Sequence, residues 1–172
     1  MDCDFMRVVF VVPRNNFRDE EFFIPRTIIA KKEIECVVAS KNIAALKGMR
    51  GNIVESTITL SQVDNGFDAI IFVGGSGAEQ YFSDSEALGL AKKYFEMNRV
   101  VAAICIAPSI LANAGILKGK KATCFASEKE NLTAHGALYS RSPIVVDGKI
   151  ITASGPVVAK EFGEEIVKAL KK

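Results

Sequence analysis

Three short runs of this chain are apolar enough to be buried on both faces. Met6–Val12 carries Val8, Val9, Phe10, Val11 and Val12 in unbroken succession, and Asp68–Val73 and Val100–Ile104 have the same character. A strand with no polar face needs cover on both sides, which is the condition of a parallel sheet between two layers of helix. Ile34–Ala39 reads as a further strand. Helical patterns alternate with these runs. One opens at Asp19 and Glu20 and runs to about Lys32 with Phe22, Phe23, Ile24, Ile28 and Ile29 apolar, and Pro25 in its early turns implies a kink or a late start. Ser83 with Glu86 gives a capping-box pattern ahead of Leu88, Ala91 and Phe95 in a helix ending near Asn98. Ala107–Ala114, closed by Gly115, is a short helix, and Phe162, Ile166, Val167 and Leu170 line one face of a last one after Gly155-Pro156. The expected fold is a single α/β domain over residues 1–172, a layered sandwich on a mainly parallel sheet.

Weaker signals fill in the rest. Pro13–Arg18 is expected to be a loop. Ile53–Leu60 alternates in polarity and reads as an exposed, antiparallel excursion. Ala122–Phe125 is expected as a short strand and Glu128–Thr133 as a short helix, and Asp147-Gly148 marks the tight turn of a hairpin over Val145–Ile151.

Length and composition narrow the function. The 172 residues hold 22 basic and 20 acidic side chains, a net charge of +2, so no basic field for nucleic acid or an anionic membrane is expected. No apolar run is long enough to span a bilayer. Met1-Asp2-Cys3-Asp4 lacks a signal-peptide pattern, so a cytoplasmic protein is expected. Cys3, Cys36, Cys105 and Cys124 have no CxxC spacing and only His135 to join them, so they read as free thiols and no metal site is expected.

In a sheet of this kind functional groups gather outside the carboxyl ends of the strands. Three segments fall there: the loop after Val12, the turn Gly74-Gly75-Ser76-Gly77 after Val73, and Cys105 after Ile104. Cys105 stands where a buried strand turns into a helix, beside backbone N–H groups that lower a thiol's pKa and hold an oxyanion. A core thiol is the competing reading. Glu21 heads the segment after the first strand and could reach the same rim, and the N–H groups of Gly75 and Ile106 could form an oxyanion hole. Gly75-Ser76-Gly77-Ala78-Glu79-Gln80 fails as a dinucleotide fingerprint because Gln80 replaces the third glycine, and no phosphate-binding GxxxxGK[ST] loop is present. His135, the only histidine, lies in a polar loop and reads as a surface residue.

At these residues the chain resembles the ThiJ/PfpI superfamily. The likeness rests on Glu21 with Pro25, on Val73-Gly74-Gly75, on the elbow Ala102-Ala103-Ile104-Cys105, on the stretch from Leu111 to Thr123, and on Val145 through Pro156. It implies a flavodoxin-like three-layer sandwich and a homodimer or higher oligomer. It implies that Cys105 is the reactive thiol, that a protonated Glu21 hydrogen-bonds it, and that Gly75 and Ile106 supply the oxyanion hole. The activities it implies are cofactor-free conversion of small reactive carbonyls such as methylglyoxal, deglycation, redox-dependent chaperoning through Cys105, and peptide hydrolysis. Two positions depart from the pattern. Ile106 stands where protease-like members place a histidine beside the nucleophile, and Phe125 stands where the deglycase branch has a second one. The expectation is therefore a cysteine-dependent, cofactor-free enzyme for a small carbonyl substrate. A redox-sensing stress chaperone and a PfpI-type peptidase are the alternatives.

Overall fold

A computed structural model describes residues 5–172, so the acidic leader and Cys3 lie outside the described residues. The strands are β1 (Arg7–Val11), β2 (Asn15–Phe17), β3 (Glu35–Ser40), β4 (Ala45–Gly48), β5 (Ile53–Glu55), β6 (Ile58–Thr59), β7 (Ala69–Phe72), β8 (Val100–Ile104), β9 (Lys121–Ala122), β10 (Leu138–Tyr139), β11 (Ile144–Asp147) and β12 (Ile150–Ala153). The helices are α1 (Asp19–Ala30), α2 (Ser85–Glu96), α3 (Pro108–Asn113), α4 (Lys129–Ala134) and α5 (Ala159–Leu170). Seven strands form the main sheet in the order β11-β12-β8-β7-β1-β3-β6. All of its pairings are parallel except β11 with β12.

The apolar runs are explained by two separate cores. Alternate residues of the central strands enter each one. Val9, Val11, Ile70, Phe72, Val101 and Ala103 pack with Leu90 and Tyr94 of α2 and Ile110 and Leu111 of α3. Val8, Phe10, Ile71, Ala102 and Ile104 pack with Phe22 and Ile29 of α1 and Phe162 and Ile166 of α5. A strand covered on both sides has no face left for polar residues. The result is the expected three-layer α/β sandwich. No described helix is long and apolar enough to cross a membrane.

Several local expectations shift. Helix α1 begins at Asp19 and runs through Pro25 to Ala30, so the proline does not delay its start. The N-cap of α2 is Asp84 and not Ser83, because the Asp84 carboxylate accepts from the N–H groups of both Glu86 and Ala87 at 3.0 Å. The loop Pro13–Arg18 contains β2, which joins β4 and β5 in a small side sheet. The segment Ile53–Leu60 divides. Its first part pairs antiparallel with β4 as expected, and Ile58–Thr59 then crosses to the edge of the main sheet beside β3. The break falls at Ser56, whose hydroxyl donates to the Asn42 carbonyl and accepts from the Ala44 N–H. Of Ala122–Phe125 only Ala122 is strand, and Phe125 turns away to donate its N–H to the Cys105 carbonyl at 2.8 Å.

Candidate active site

The carboxyl ends of β7 and β8 build the site. Val73 and Ile104 are the last residues of their buried apolar runs, and the backbone turns sharply after each. Cys105 has φ +65°, a left-handed conformation that costs a residue with a Cβ about 1 kcal/mol or more. Both of its backbone groups are held: its N–H donates to Ala153 at 2.9 Å and its carbonyl accepts from Phe125. The strand end therefore fixes the strained turn and pushes the half-buried thiol toward a cleft.

Glu21 comes from the first turn of α1. It is fully buried, and neither carboxyl oxygen makes a hydrogen bond to a described residue. A Cβ placed on Gly74 would stand 2.7 Å from Glu21 Oε2, 2.7 Å from Cys105 Cβ and 2.5 Å from the Ile104 carbonyl. Gly74 thus has no side chain because the carboxyl and the cysteine occupy that space. The thiol and the carboxyl perturb each other's titration without closing a hydrogen bond in this structure.

The electrostatics follow from burial. Loss of water pushes Glu21 up to about 8, against the opposing pull of the Arg18 guanidinium and the thiol. The group is therefore mainly protonated at neutral pH. Cys105 departs from the low-pKa thiol expected of such a corner. Burial, and then the negative charge Glu21 acquires when it ionises, push it up to about 12, although the N–H groups of Gly75 and Ile106 pull it down. These two N–H groups donate to no other described residue. Helix α3 has only six residues, so it is these local donors that face the thiol.

The cleft beside the thiol has a volume of about 590 Å³. It brings together the four candidate residues Glu21, Gly75, Cys105 and Ile106, with Phe125 beside them, whereas Gly74 does not line it. Sequence reasoning missed Met49, Glu79, Glu128 and Val157, which also line it. Pro156 and Val157 follow β12, so the strand-end rule could have found them. Met49 carries no such signal. It is brought in by Asp19, whose carboxylate accepts from the N–H of Arg50 at 2.9 Å and from the Asn52 side chain at 2.8 Å. Burial resists ionisation of Asp19, yet these donors hold its carboxyl below the usual range. His135 is absent from the cleft lining, and its ring bonds the Asn131 carbonyl in its own helix. Among the described residues no three His, Cys, Asp or Glu side chains group to hold a metal.

The DJ-1/PfpI family model matches residues 6–169, which include all of these site residues. The chain belongs to the DJ-1/PfpI family. Among the relatives of this DJ-1/PfpI chain is an uncharacterized protein of Methanocaldococcus jannaschii, 38% identical over 96% of this chain and 83% of its own. Another is a protein of Pyrococcus horikoshii named as a deglycase, 30% identical over 96% of this chain and 100% of its own. The crystal structure of a ThiJ/PfpI domain protein from Brachyspira murdochii superposes with a TM-score of 0.94 at 32% identity, covering 96% of each chain. The Drosophila melanogaster DJ-1beta structure gives 0.87 at 28% identity, covering 96% and 90%. Within the DJ-1/PfpI frame, Ile106 and Phe125 make this rim apolar, and Phe125 is 49% exposed.

Proposed function

We propose that the chain is an enzyme for small reactive carbonyls, with Cys105 as nucleophile and Glu21 as its proton carrier. The observation that carries this reading is Glu21 itself. A fully buried carboxyl without a hydrogen bond is costly, and it is held against the one thiol that a strained elbow presents to the cleft. Loss of one proton from the pair leaves one to be shared between carboxylate and sulfur. With that proton on Glu21, Cys105 is a thiolate facing the N–H groups of Gly75 and Ile106. Sulfur then adds to the aldehyde carbon of an α-oxoaldehyde. The S–C bond forms, the C=O electrons move to oxygen beside the two N–H groups, and the Glu21 proton completes a hemithioacetal.

Conversion of such a compound to a hydroxy acid oxidises one carbon and reduces its neighbour, so it needs water but no external redox partner. The deglycase name of several relatives supports carbonyl chemistry in general. The cleft offers no imidazole for a peptidase, and a thiol pushed up by burial lends the oxidation-sensor reading no comparable support. The test compares lactate formed from methylglyoxal by the native chain and by Cys105→Ser. Loss of activity in the variant is expected, and equal rates would refute the reading.

A further inference from the structure

The cleft holds a second carboxyl group in a setting opposite to that of Glu21. Glu128 lies in the turn before α4 and lines the same cavity as Cys105. Both of its oxygens are occupied as acceptors, Oε1 by the Ser109 hydroxyl at 2.7 Å and Oε2 by the Ser127 hydroxyl at 2.8 Å. The direction of the first bond is fixed from behind. Asn113 donates through Nδ2 to the Phe82 carbonyl, which can only accept. Its Oδ1 accepts from Asn131 Nδ2, which also donates to Ser109 Oγ at 3.0 Å. Ser109 is fully buried, so its own proton has Glu128 as its outlet. The chain of donors ends on the carboxylate of Glu128, a residue that lines the cleft.

One cleft therefore carries two carboxyl groups with separated tasks, an acid without hydrogen bonds at Glu21 and an oriented base at Glu128. Resting on the carbonyl reading above, we infer that Glu128 is a further catalytic residue, the base that removes the proton from the carbon bonded to Cys105 in the hemithioacetal. Glu128 takes that proton, and the C–H electron pair becomes the C=C bond of an enediolate while Glu21, ionised since its proton completed the hemithioacetal, takes the proton of that hydroxyl and hands it to the neighbouring ketone oxygen. Glu128 then returns its proton to the former ketone carbon as the electrons of the deprotonated oxygen re-form a C=O bond. This leaves a thioester of the hydroxy acid on Cys105. Water cleaves it: a C–O bond forms, the C–S bond breaks, and a water proton goes to sulfur.

The experiment uses methylglyoxal with the native chain, Glu128→Gln and Glu128→Asp. It measures both the Cys105 adduct, by intact mass, and lactate. Gln keeps an oxygen to accept from Ser109, so the donor chain survives. Glu128→Gln is expected to form the adduct at the native rate while lactate falls at least ~100-fold, the usual scale for a lost general base. Glu128→Asp, which keeps a carboxylate, is expected to recover part of the turnover. Lactate formation by Glu128→Gln within about threefold of native would overturn the inference. So would loss of adduct and lactate together, because Glu128 would then act before the carbon proton moves. If the native chain forms neither adduct nor lactate, the carbonyl reading itself falls.

Discussion

Cys105 Cβ and Glu21 Oε2 lie equally close, at 2.7 Å, to the point where a side chain on Gly74 would begin. The two groups come from different elements, one after β8 and one in α1, and the absent side chain between them lets them meet. Gly74→Ala would drive a methyl group into both and into the Ile104 carbonyl at 2.5 Å, which cannot yield without moving the strand. We expect a loss of about 1–3 kcal/mol. Thermal unfolding should fall by several degrees, at about 2–4 °C per kcal/mol for a chain of this size. Carbonyl turnover should fall with it. An unchanged melting temperature would show that the contact is slack.

Glu21 should make stability depend on pH. Its pKa rises from 4.5 to about 8 on folding, so the folded chain holds the extra proton between those values. Its protonated form therefore favours the fold fully below about pH 4.5, and that contribution is lost as pH rises through about 8. The slope approaches about 1.4 kcal/mol per pH unit within the window. Urea unfolding at pH 5, 7 and 9 should show the decline, and Glu21→Gln should flatten it. Equal slopes in the two proteins would contradict the burial of an ionisable group here.

The same proton should appear in the kinetics. In the proposed reaction the reactive form is the Cys105–Glu21 pair after the loss of one proton, and the burial of Glu21 places that loss near pH 8. Thus kcat/KM for methylglyoxal should climb with pH and level off above about 8. In Glu21→Gln the climb at that position should vanish and activity should drop about 100-fold or more. A native profile that is flat from pH 6 to 9 would remove Glu21 from the reaction.

Asp19 should control the rim without touching the chemistry. It ties residues 50 and 52 to the start of α1 and so places Met49 at the cleft. Asp19→Ala would strand those donors, at a cost of about 1–3 kcal/mol. We expect KM to rise more than kcat falls, as the apolar rim loosens. A fall in kcat alone would show that the loop has a different task.

Much of this was legible from local pattern. The apolar runs gave the sheet because burial on both faces follows from composition, and the hairpin at Asp147-Gly148 follows from its turn residues. The elbow at Cys105 was readable because strand, corner and helix follow one another directly. The side sheet was not, since Asn15–Phe17 has only three residues and pairs with β4 some thirty positions away. Nor was the N-cap of α2, where Ser83 and Asp84 are both capping residues and only the bonds from Glu86 and Ala87 decide between them.

The sequence by itself determined that a thiol stands at the carboxyl end of a buried parallel strand, with a carboxyl and two backbone donors within possible reach of the same rim. That is a matter of order along the chain, and order is local. Only the tertiary structure decided their charge states. The elbow suggested a thiol of low pKa, but burial and the adjoining Glu21 push Cys105 up, and burial keeps Glu21 protonated. Likewise Glu128 is a surface-type residue by sequence and becomes an oriented acceptor only because Ser109, Asn113 and Asn131 converge behind it from two helices. Ionisation depends on how much water and how many dipoles surround a group, and residues distant in the chain supply both.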